Sequence, residues 1–306
     1  MTITKHALSE KDAAVMKQIR EGLKGVKGTV TGPDSRPMFD EIMKRVAPAD
    51  DIESAEGVVG GVPGIWVRPQ PAPGDCAILY FHGGAYVVGS PRAYVNFVGQ
   101  VVSRSGVPAF VADYALAPER PFPAAVDDAF RAYNGLVAQG IRQIALAGDS
   151  AGGGLALGLL PLVRDADPAP RLAVAISPWT DLALTSPSML SRDAADPIWS
   201  AAALAEMARL YLGNADPRNP LASPVYSDRS DFPPVLIHVG DAEVLLDDAL
   251  RYAEGIDGIE VHVWEGMLHL FPSSAGILGA ADVALDGIGS FIGSNVISPA
   301  DVRHPL

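Results

Sequence analysis

Short apolar segments alternate with amphipathic segments over most of the chain. Between the apolar runs, hydrophobic positions recur with helical spacing at about 92–105, 124–138, 151–164, 244–255 and 274–292. Apolar strands that alternate with helices are typical of a parallel sheet covered on both faces. The apolar runs that we predict as strands are Ala77–Phe81, Val107–Tyr114, Ile144–Ala147, Leu172–Ile176, Val235–Val239 and Ile259–Trp264.

The N-terminal part of the chain has a different pattern. Ser9 and Asp12 form a helix-start signal ahead of one amphipathic segment, and residues 38–47 form a second such segment. The stretch that follows, AEGVVGGVPGIWVRP, predicts two antiparallel strands joined by a tight turn.

The interval between Ile176 and Val235 is much longer than an ordinary connection. Its centre, residues 199–213, has a helical pattern, and prolines follow it. We expect this insertion and the N-terminal segment to cover the carboxyl edge of the sheet. The predicted fold is therefore α/β, a mostly parallel eight-stranded sheet with helices on both faces plus a helical cap. The predicted organisation assigns residues 1–50 and 183–222 to the cap, and residues 51–182 and 223–306 to the core.

Composition narrows the classes of function. With 306 residues and 48% hydrophobic content, the chain can bury a sizeable core. Its net charge of −13 would repel phosphate, so we expect neither a nucleic acid nor a membrane as partner. Cys76 is the only cysteine, which excludes an internal disulfide and a multi-thiolate zinc site. The polar N-terminus lacks a signal-peptide pattern, and we predict a cytoplasmic protein.

The segment LAGDSAGGG (146–154) places Ser150 between a predicted strand and a predicted helix. This is the setting of a G-x-S-x-G nucleophile elbow, in which side chains at the positions of Gly148 and Gly152 would clash. A phosphate-binding loop would need a Lys-Ser/Thr pair, which is absent, and the glycine spacing does not fit a dinucleotide fingerprint. An ordinary structural turn stays an alternative, but the strand-turn-helix setting favours a nucleophile.

The segment LYFHGGAYVVGS (79–90) is a candidate oxyanion hole. It continues an apolar strand into two glycines, Gly83 and Gly84, whose amides can turn inward without steric cost. An acyl-transfer transition state needs such convergent N–H groups to stabilise the charge on the carbonyl oxygen. We predict Gly83, Gly84 and Ala151, the residue after the serine, as the three donors.

Three motifs together, HGGA, DYALAPERPFPAAVDDA (113–129) and GDSAGG, resemble the hormone-sensitive-lipase-like branch of the α/β-hydrolase fold. The resemblance covers about residues 55–295 and implies a carboxylesterase or a related acetyl-hydrolase or lactone hydrolase. It also implies a cap built from the N-terminal segment and from an insertion. Three positions depart from the family pattern: Ala85 stands in place of a third glycine, Ala115 in place of an arginine and Arg120 in place of a histidine. We expect Ala115 to remove an ion pair and to affect stability or loop position.

Six histidines compete for the role of general base. His269 follows the last predicted strand, in the loop where an α/β-hydrolase places its base. The others lie near the termini, inside predicted strands or in the oxyanion segment: His6, His304, His238, His262 and His82. We predict His269 as the base.

The acid is expected in GDAEVLLDDA, after the strand VLIHVG. It would orient the base and stabilise the imidazolium. Asp241, Glu243, Asp247 and Asp248 are available there. Matching EVLLD to the family pattern, as in DPLRD, implies Glu243, and Asp241 and Asp247 are the alternatives.

These residues predict a serine hydrolase of carboxylic esters, with no metal or organic cofactor. The expected substrates are small-molecule esters with short to medium acyl chains, or lactones, and an amidase or thioesterase on the same triad stays open. A non-catalytic ligand-binding protein is disfavoured because the histidine position is occupied. The resemblance also implies a homodimer. The residues that we predict to line the pocket, or alternatively to pack the cap onto the core, are Met16, Phe39, Trp199, Met207 and Tyr211.

Overall fold

Nine strands form one mixed sheet in the computed structural model, which describes residues 1–297 of the chain. In chain order, the strands are β1 (Thr2–His6), β2 (Ile52–Val59), β3 (Val62–Pro69), β4 (Cys76–Phe81), β5 (Ala109–Ala112), β6 (Gln143–Asp149), β7 (Leu172–Ile176), β8 (Val235–Gly240) and β9 (Ile259–Trp264). Their order across the sheet is β1-β9-β8-β7-β6-β4-β5-β3-β2. Within the described residues, only the pairs β2–β3 and β3–β5 are antiparallel.

Helices cover both faces of this sheet. In chain order, the helices are α1 (Glu10–Gly22), α2 (Arg36–Met43), α3 (Pro91–Ser105), α4 (Ala124–Ala138), α5 (Ser150–Val163), α6 (Ser188–Ser191), α7 (Ala201–Leu212), α8 (Leu246–Ala253) and α9 (Gly279–Val296). Alternate side chains of β4 point to opposite faces, so Leu79 packs in a cluster with α4 and α5, whereas Ile78 packs in a cluster with α3 and α9. Both faces of the central strands are therefore buried, which explains their continuous apolar sequence.

The fold class is the predicted one, but the sheet has nine strands where the sequence analysis counted eight. The additional strand is β1, which pairs in parallel with β9 at one edge of the sheet. Its sequence, TITKH, is short and mostly polar, and Ile3 is 42% exposed. A strand of this kind has no clear apolar pattern, because it buries little beyond its backbone hydrogen bonds. Residues 2–6 therefore lie in the sheet, although the predicted organisation placed them in the cap.

The N-terminal helix is fixed to the core by its first turn. Ser9 caps α1 by accepting a hydrogen bond from the Asp12 amide at 3.0 Å, as the sequence predicted. The buried Asp12 carboxylate in turn accepts from the amides of Gly279 and Ala280, at 2.8 and 3.1 Å. Because these amides begin α9, one side chain joins the starts of two helices.

Among the described residues, no helix is both long and apolar enough to cross a lipid bilayer.

Close to Ala115, which carries no charge, the buried carboxylate of Asp128 pairs with two arginines. Asp128 is 2% exposed and accepts a hydrogen bond from the Ala115 amide at 2.9 Å. Arg120 Nη1 lies 3.1 Å from the same carboxylate, and Arg131 pairs with its other oxygen. Ala115 and Arg120, two of the three departures from the family pattern, thus both contact Asp128. Arg120 supplies there a positive charge that Ala115 lacks.

Candidate active site

Ser150 lies where β6 ends and α5 begins. Its φ of 52° is in the left-handed region, which residues with a side chain rarely adopt. A Cβ on Gly148 would lie 2.4 Å from the Gly152 carbonyl oxygen, and a Cβ on Gly152 would lie 2.0 Å from the Phe81 carbonyl oxygen. Backbone atoms leave no room for a side chain at either glycine. These two residues thus have the steric role that the sequence predicted, and the tight turn presents Ser150 at the carboxyl edge of the sheet.

Glu243 and His269 are joined across two loops of that edge. Glu243 lies in the loop after β8, His269 lies in the loop after β9, and His269 Nδ1 is 2.7 Å from Glu243 Oε2. The second carboxylate oxygen accepts hydrogen bonds from the Gly240 amide at 2.7 Å and from the Ser177 hydroxyl at 2.8 Å. Because both oxygens are engaged, the carboxylate can hold the imidazole with Nδ1 toward Glu243 and leave Nε2 for proton transfer.

Ser177 connects the acid to the loop of the base. Besides donating to Glu243, its Oγ accepts a hydrogen bond from the Leu270 amide at 3.1 Å. The residue is fully buried, directly follows β7 and has a φ of 48°. Sequence reasoning missed this residue, since a serine after a buried strand has many uses. Only its position at the end of the strand next to β8 could have indicated a role near the acid.

The environment of His269 favours its charged form. Burial opposes the imidazolium, but the Glu243 carboxylate and its hydrogen bond outweigh that effect and raise the pKa of His269 above its ordinary value of 6.5. Asp196 and Asp149 add smaller contributions in the same direction. The Trp199 ring packs edge-on against the imidazole, with 6.2 Å between the ring centroids. A base in this setting is stabilised as it accepts a proton.

Ser150 and His269 lie in the wall of one cavity of about 390 Å³. Within the described residues no hydrogen bond joins Ser150 Oγ to His269, and such catalytic bonds are often long before substrate binds. The remainder of the wall is mostly apolar, and both segments predicted as cap contribute to it. Apolar side chains of those segments in the wall include Leu23, Val26, Met38, Phe39, Ile198 and Trp199.

The predicted oxyanion donors need one correction. Gly83 donates its N–H to Asp149 Oδ1 at 3.0 Å, so this amide points away from a substrate carbonyl. Gly84 borders the cavity, and a Cβ there would lie 2.1 Å from the Val88 carbonyl oxygen. Among residues 1–297, the N–H groups of Gly84, Ala85 and Ala151 have no protein partner. The structure therefore replaces Gly83 by Ala85 in the set of available donors.

Asp149 holds the oxyanion segment against the elbow. Its buried carboxylate accepts hydrogen bonds from Tyr80 at 2.9 Å and Tyr94 at 3.0 Å, in addition to the bond from Gly83. Burial raises the pKa of Asp149 to about 6, although these hydrogen bonds act in the opposite direction. The sequence analysis assigned no role to this residue. Its place inside the G-x-S-x-G motif was the available signal.

The alternative acids have other partners. Asp241 accepts from the Gly266 amide at 2.7 Å, and the Asp248 carboxylate accepts from the amides of Thr180 and Asp181, each at 2.9 Å. Asp247 borders a separate surface groove. Among the four candidates, the structure brings only Glu243 to His269 within the described part of the chain.

The other histidines are engaged elsewhere. His6 and His262 bond to each other at the edge of the sheet, and the Trp264 indole donates to His238. His82 is buried beside the oxyanion segment, where burial lowers its pKa to about 4. His304 lies outside the described residues.

Two of the five predicted pocket residues, Phe39 and Trp199, line the cavity. The other three do not, because they are packed elsewhere. Met16 packs with Trp264 and Met267 beneath α1. Met207 and Tyr211 are fully buried in the main core cluster, and the Tyr211 ring stacks on Tyr86 with 3.9 Å between the centroids. For these three residues the packing alternative is the correct one.

Comparison with known proteins finds a matching family and similar solved structures. A family model described as alpha/beta hydrolase fold matches residues 78–273. An acetyl-hydrolase of Streptomyces hygroscopicus is 39% identical over 269 residues, which cover 82% of this chain and 90% of that protein. An esterase from the bacterial hormone-sensitive lipase family is 36% identical in a solved structure, with a TM-score of 0.86, and the match covers 95% of this chain and all of that one. The protein EstE5, in a crystal soaked with p-nitrophenyl butyrate, is also 36% identical, with a TM-score of 0.82, and the match covers 95% of this chain and all of that one.

Proposed function

The chain belongs to the hormone-sensitive-lipase-like esterases of the alpha/beta hydrolase fold, which act on carboxylic ester bonds, and on this basis we propose that Ser150, His269 and Glu243 carry out the hydrolysis. The observation that carries the proposal is the 2.7 Å contact of His269 with Glu243 at the wall of the cavity that also contains Ser150. No other histidine among the described residues borders this cavity.

The reaction proceeds through an acyl-enzyme. His269 Nε2 removes the proton from Ser150 Oγ, which attacks the ester carbonyl carbon. The amides of Gly84, Ala85 and Ala151 donate to the oxyanion of the tetrahedral intermediate. The C–O bond to the alcohol then breaks, and the alcohol leaves with the proton from His269. A water molecule, deprotonated by His269, then attacks the carbonyl carbon of the acyl-enzyme. The bond to Ser150 Oγ breaks, Oγ takes back a proton from His269, and the carboxylic acid product leaves.

Glu243 keeps the base in the productive orientation throughout. It accepts from Nδ1–H and stabilises the imidazolium that forms in each half-reaction. The raised pKa of His269 supports this role, since the carboxylate favours the charged ring over the neutral one.

The cavity supports esters with short to medium acyl chains. Its volume of about 390 Å³ is near the small end of the range of roughly 300–1,000 Å³ that small-molecule pockets occupy. Its walls offer apolar side chains such as Phe39 and Ile198, which suit an alkyl chain. A lactone presents the same reacting group and is the second substrate class to test. The relative soaked with p-nitrophenyl butyrate gives a practical starting substrate.

We also propose that the cap consists of residues 7–50 and 183–222, since both segments contribute to the wall above Ser150. We propose in addition that the protein is a homodimer and lies in the cytoplasm, as the sequence predicts. Light scattering of the purified protein and fractionation of the source cells test them.

The mechanism is tested with p-nitrophenyl esters from acetate to decanoate and with a lactone panel. We expect Ser150→Ala and Glu243→Gln each to lower kcat by about 10³-fold or more, because both groups act as one unit with His269. Asp247→Asn is the matched control and should leave kcat within about twofold, a change of less than 0.5 kcal/mol. Wild-type turnover in Ser150→Ala, or a loss in Asp247→Asn but not in Glu243→Gln, would contradict the assignment.

A further inference from the structure

The backbone of the residue that follows the proposed acid is held by side chains from the insertion before α7. Val244 follows Glu243, and its N–H donates to Asp196 Oδ2 at 3.0 Å. Its carbonyl oxygen accepts from the Ser188 hydroxyl at 2.6 Å. Asp196 and Ser188 are each 1% exposed. Both backbone groups of Val244 are thus bonded to one inserted segment.

The second carboxylate oxygen of Asp196, Oδ1, holds the backbone of two residues in the cavity wall. Asp196 Oδ1 accepts from the amides of Ile198 at 2.8 Å and Trp199 at 2.9 Å. Pro197 has no N–H, so the carboxylate serves the next two amides of the turn. Ile198 and Trp199 line the cavity, and Trp199 packs against His269. One buried carboxylate therefore connects the wall beside the base with the loop of the acid.

We propose that Asp196, assisted by Ser188, is a positioning residue for the Glu243–His269 pair, acting through Val244 and Trp199. This inference rests on the proposed function, since it assigns a role toward that triad. Asp196 does not border the reacting atoms. It acts by fixing the backbone from which Glu243 extends and the ring against which His269 packs.

The charge of Asp196 supports this role. Burial lowers the pKa of His269, while Glu243, Asp196 and Asp149 raise it, and the net direction is upward. Removing the charge of Asp196 should therefore lower the pKa of the base. A purely structural contact would change stability without moving that pKa.

The test compares Asp196→Asn with wild type on p-nitrophenyl butyrate. The asparagine oxygen can still accept from Ile198 and Trp199, but its NH₂ group cannot accept from Val244. We expect kcat to fall on the order of tenfold, with a smaller change in KM, because a displaced acid costs transition-state stabilisation. We also expect the acidic limb of the kcat/KM profile to move to lower pH. A folded Asp196→Asn enzyme with wild-type kcat and an unmoved limb would overturn the proposal.

A double-mutant cycle with Glu243→Gln separates positioning from a general loss. If Asp196 acts through Glu243, adding Asp196→Asn to Glu243→Gln should lower kcat by less than about twofold. A full tenfold loss in both backgrounds would refute the positioning of Glu243 through Val244 while leaving the triad intact. Wild-type turnover in Glu243→Gln would instead refute the triad itself.

Asp12→Asn is the matched control for destabilisation. Asp12 is also a buried carboxylate that accepts from backbone amides, but those amides begin α9. We expect it to lower Tm and to leave the acidic limb in place. Should Asp196→Asn not fold, Ser188→Ala decides: a lower kcat that disappears in the Glu243→Gln background supports the proposal, and a wild-type kcat contradicts it.

Discussion

Gly83 donates its backbone N–H to the Asp149 carboxylate at 3.0 Å, which ties the oxyanion segment to the residue before the nucleophile. An amide that points at a carboxylate cannot also point at a substrate oxygen. The following amides, those of Gly84 and Ala85, have no protein partner among residues 1–297 and are the ones that we propose for the oxyanion. Asp149 thus removes the Gly83 N–H from the amides of this segment that are available to a substrate.

Asp149→Asn should lower kcat more than it raises KM. Gly83 and Tyr80 both donate to Oδ1 of Asp149, and Tyr94 donates to Oδ2. An asparagine has only one accepting oxygen, so it cannot accept from all three groups in the present geometry. We expect a loss of about tenfold in kcat, less than the cost of removing an oxyanion donor outright. Steady-state kinetics on p-nitrophenyl butyrate measure this, with Tyr94→Phe as the milder comparison. Equal kcat values in Asp149→Asn and wild type would show that the oxyanion segment does not need all three hydrogen bonds to this side chain.

The turn at Ser150 predicts opposite effects for two glycine substitutions. A Cβ at Gly152 would lie 2.0 Å from the Phe81 carbonyl oxygen and 2.4 Å from that of His82, and neither backbone atom can move freely. Gly152→Ala should therefore abolish turnover and lower the free energy of unfolding by several kcal/mol. Gly287, in the exposed face of α9, has no atom within 4 Å of the added Cβ. Gly287→Ala should keep full activity and raise the free energy of unfolding by about 0.5–1 kcal/mol, since alanine favours a helix.

Urea unfolding and ester kinetics on the same two proteins check this pair of glycines. An active, stable Gly152→Ala enzyme would mean that the turn relaxes more easily than its contacts indicate.

The central sheet could be predicted from the sequence because buried parallel strands are apolar throughout. Leu172–Ile176 and Ile259–Trp264 even have the predicted bounds. Thr2–His6 could not be predicted in this way, because its strand character depends on a partner at the far end of the chain. The polar sequence of an edge strand gives no indication of which strand it pairs with.

For the site, residues inside local motifs were easier to predict than residues that depend on packing. Ser150, Glu243 and His269 follow three different strands of the predicted sheet, so the fold itself brings them to one edge. The direction of the Gly83 amide was not predictable, since it is set by a buried carboxylate on another strand. For Met207 and Tyr211 the sequence left pocket lining and core packing open, because amphipathic spacing does not tell which neighbour covers the apolar face of a helix.

Phe39 and Met207 lie in different apolar environments, so replacing each with alanine should have a different effect. Phe39 lines the cavity, so Phe39→Ala should enlarge it and move the preferred acyl chain to greater length. Met207 is fully buried in the core, so Met207→Ala should cost about 2–5 kcal/mol of stability and leave the chain-length profile unchanged. The p-nitrophenyl ester series and a Tm measurement on both variants provide the comparison. A shifted profile in Met207→Ala would place that residue in the pocket after all.

Three histidines lie side by side at the β1 edge of the sheet. His6 Nε2 is 2.9 Å from His262 Nδ1, and the His6 ring stacks on Trp264 with 3.7 Å between the centroids. The Trp264 indole donates to His238 Nδ1 at 3.0 Å, which requires that nitrogen to be unprotonated. Burial, followed by the charges of His262 and His6, holds the pKa of His238 well below its ordinary value of 6.5. The folded chain therefore keeps His238 neutral where the unfolded chain protonates it.

This difference predicts a stabilising effect of His238 that is complete above pH 6.5 and is lost as the pH falls. Below that pH the unfolded state binds one more proton, so the contribution declines by up to about 1.4 kcal/mol per pH unit. Burial raises the pKa of Asp149 to about 6 and of Asp248 to about 7, and both groups act in the opposite direction. The effects of Asp149 and Asp248 on the free energy of unfolding are the same in wild type and in His238→Asn, so they cancel in the difference between the two proteins. The asparagine oxygen can still accept the hydrogen bond from Trp264. The difference in free energy of unfolding between these two proteins, from urea titrations at pH 8, 7, 6 and 5, should therefore shrink as the pH falls. A difference that stays constant over that range would mean that His238 titrates alike in the folded and unfolded states.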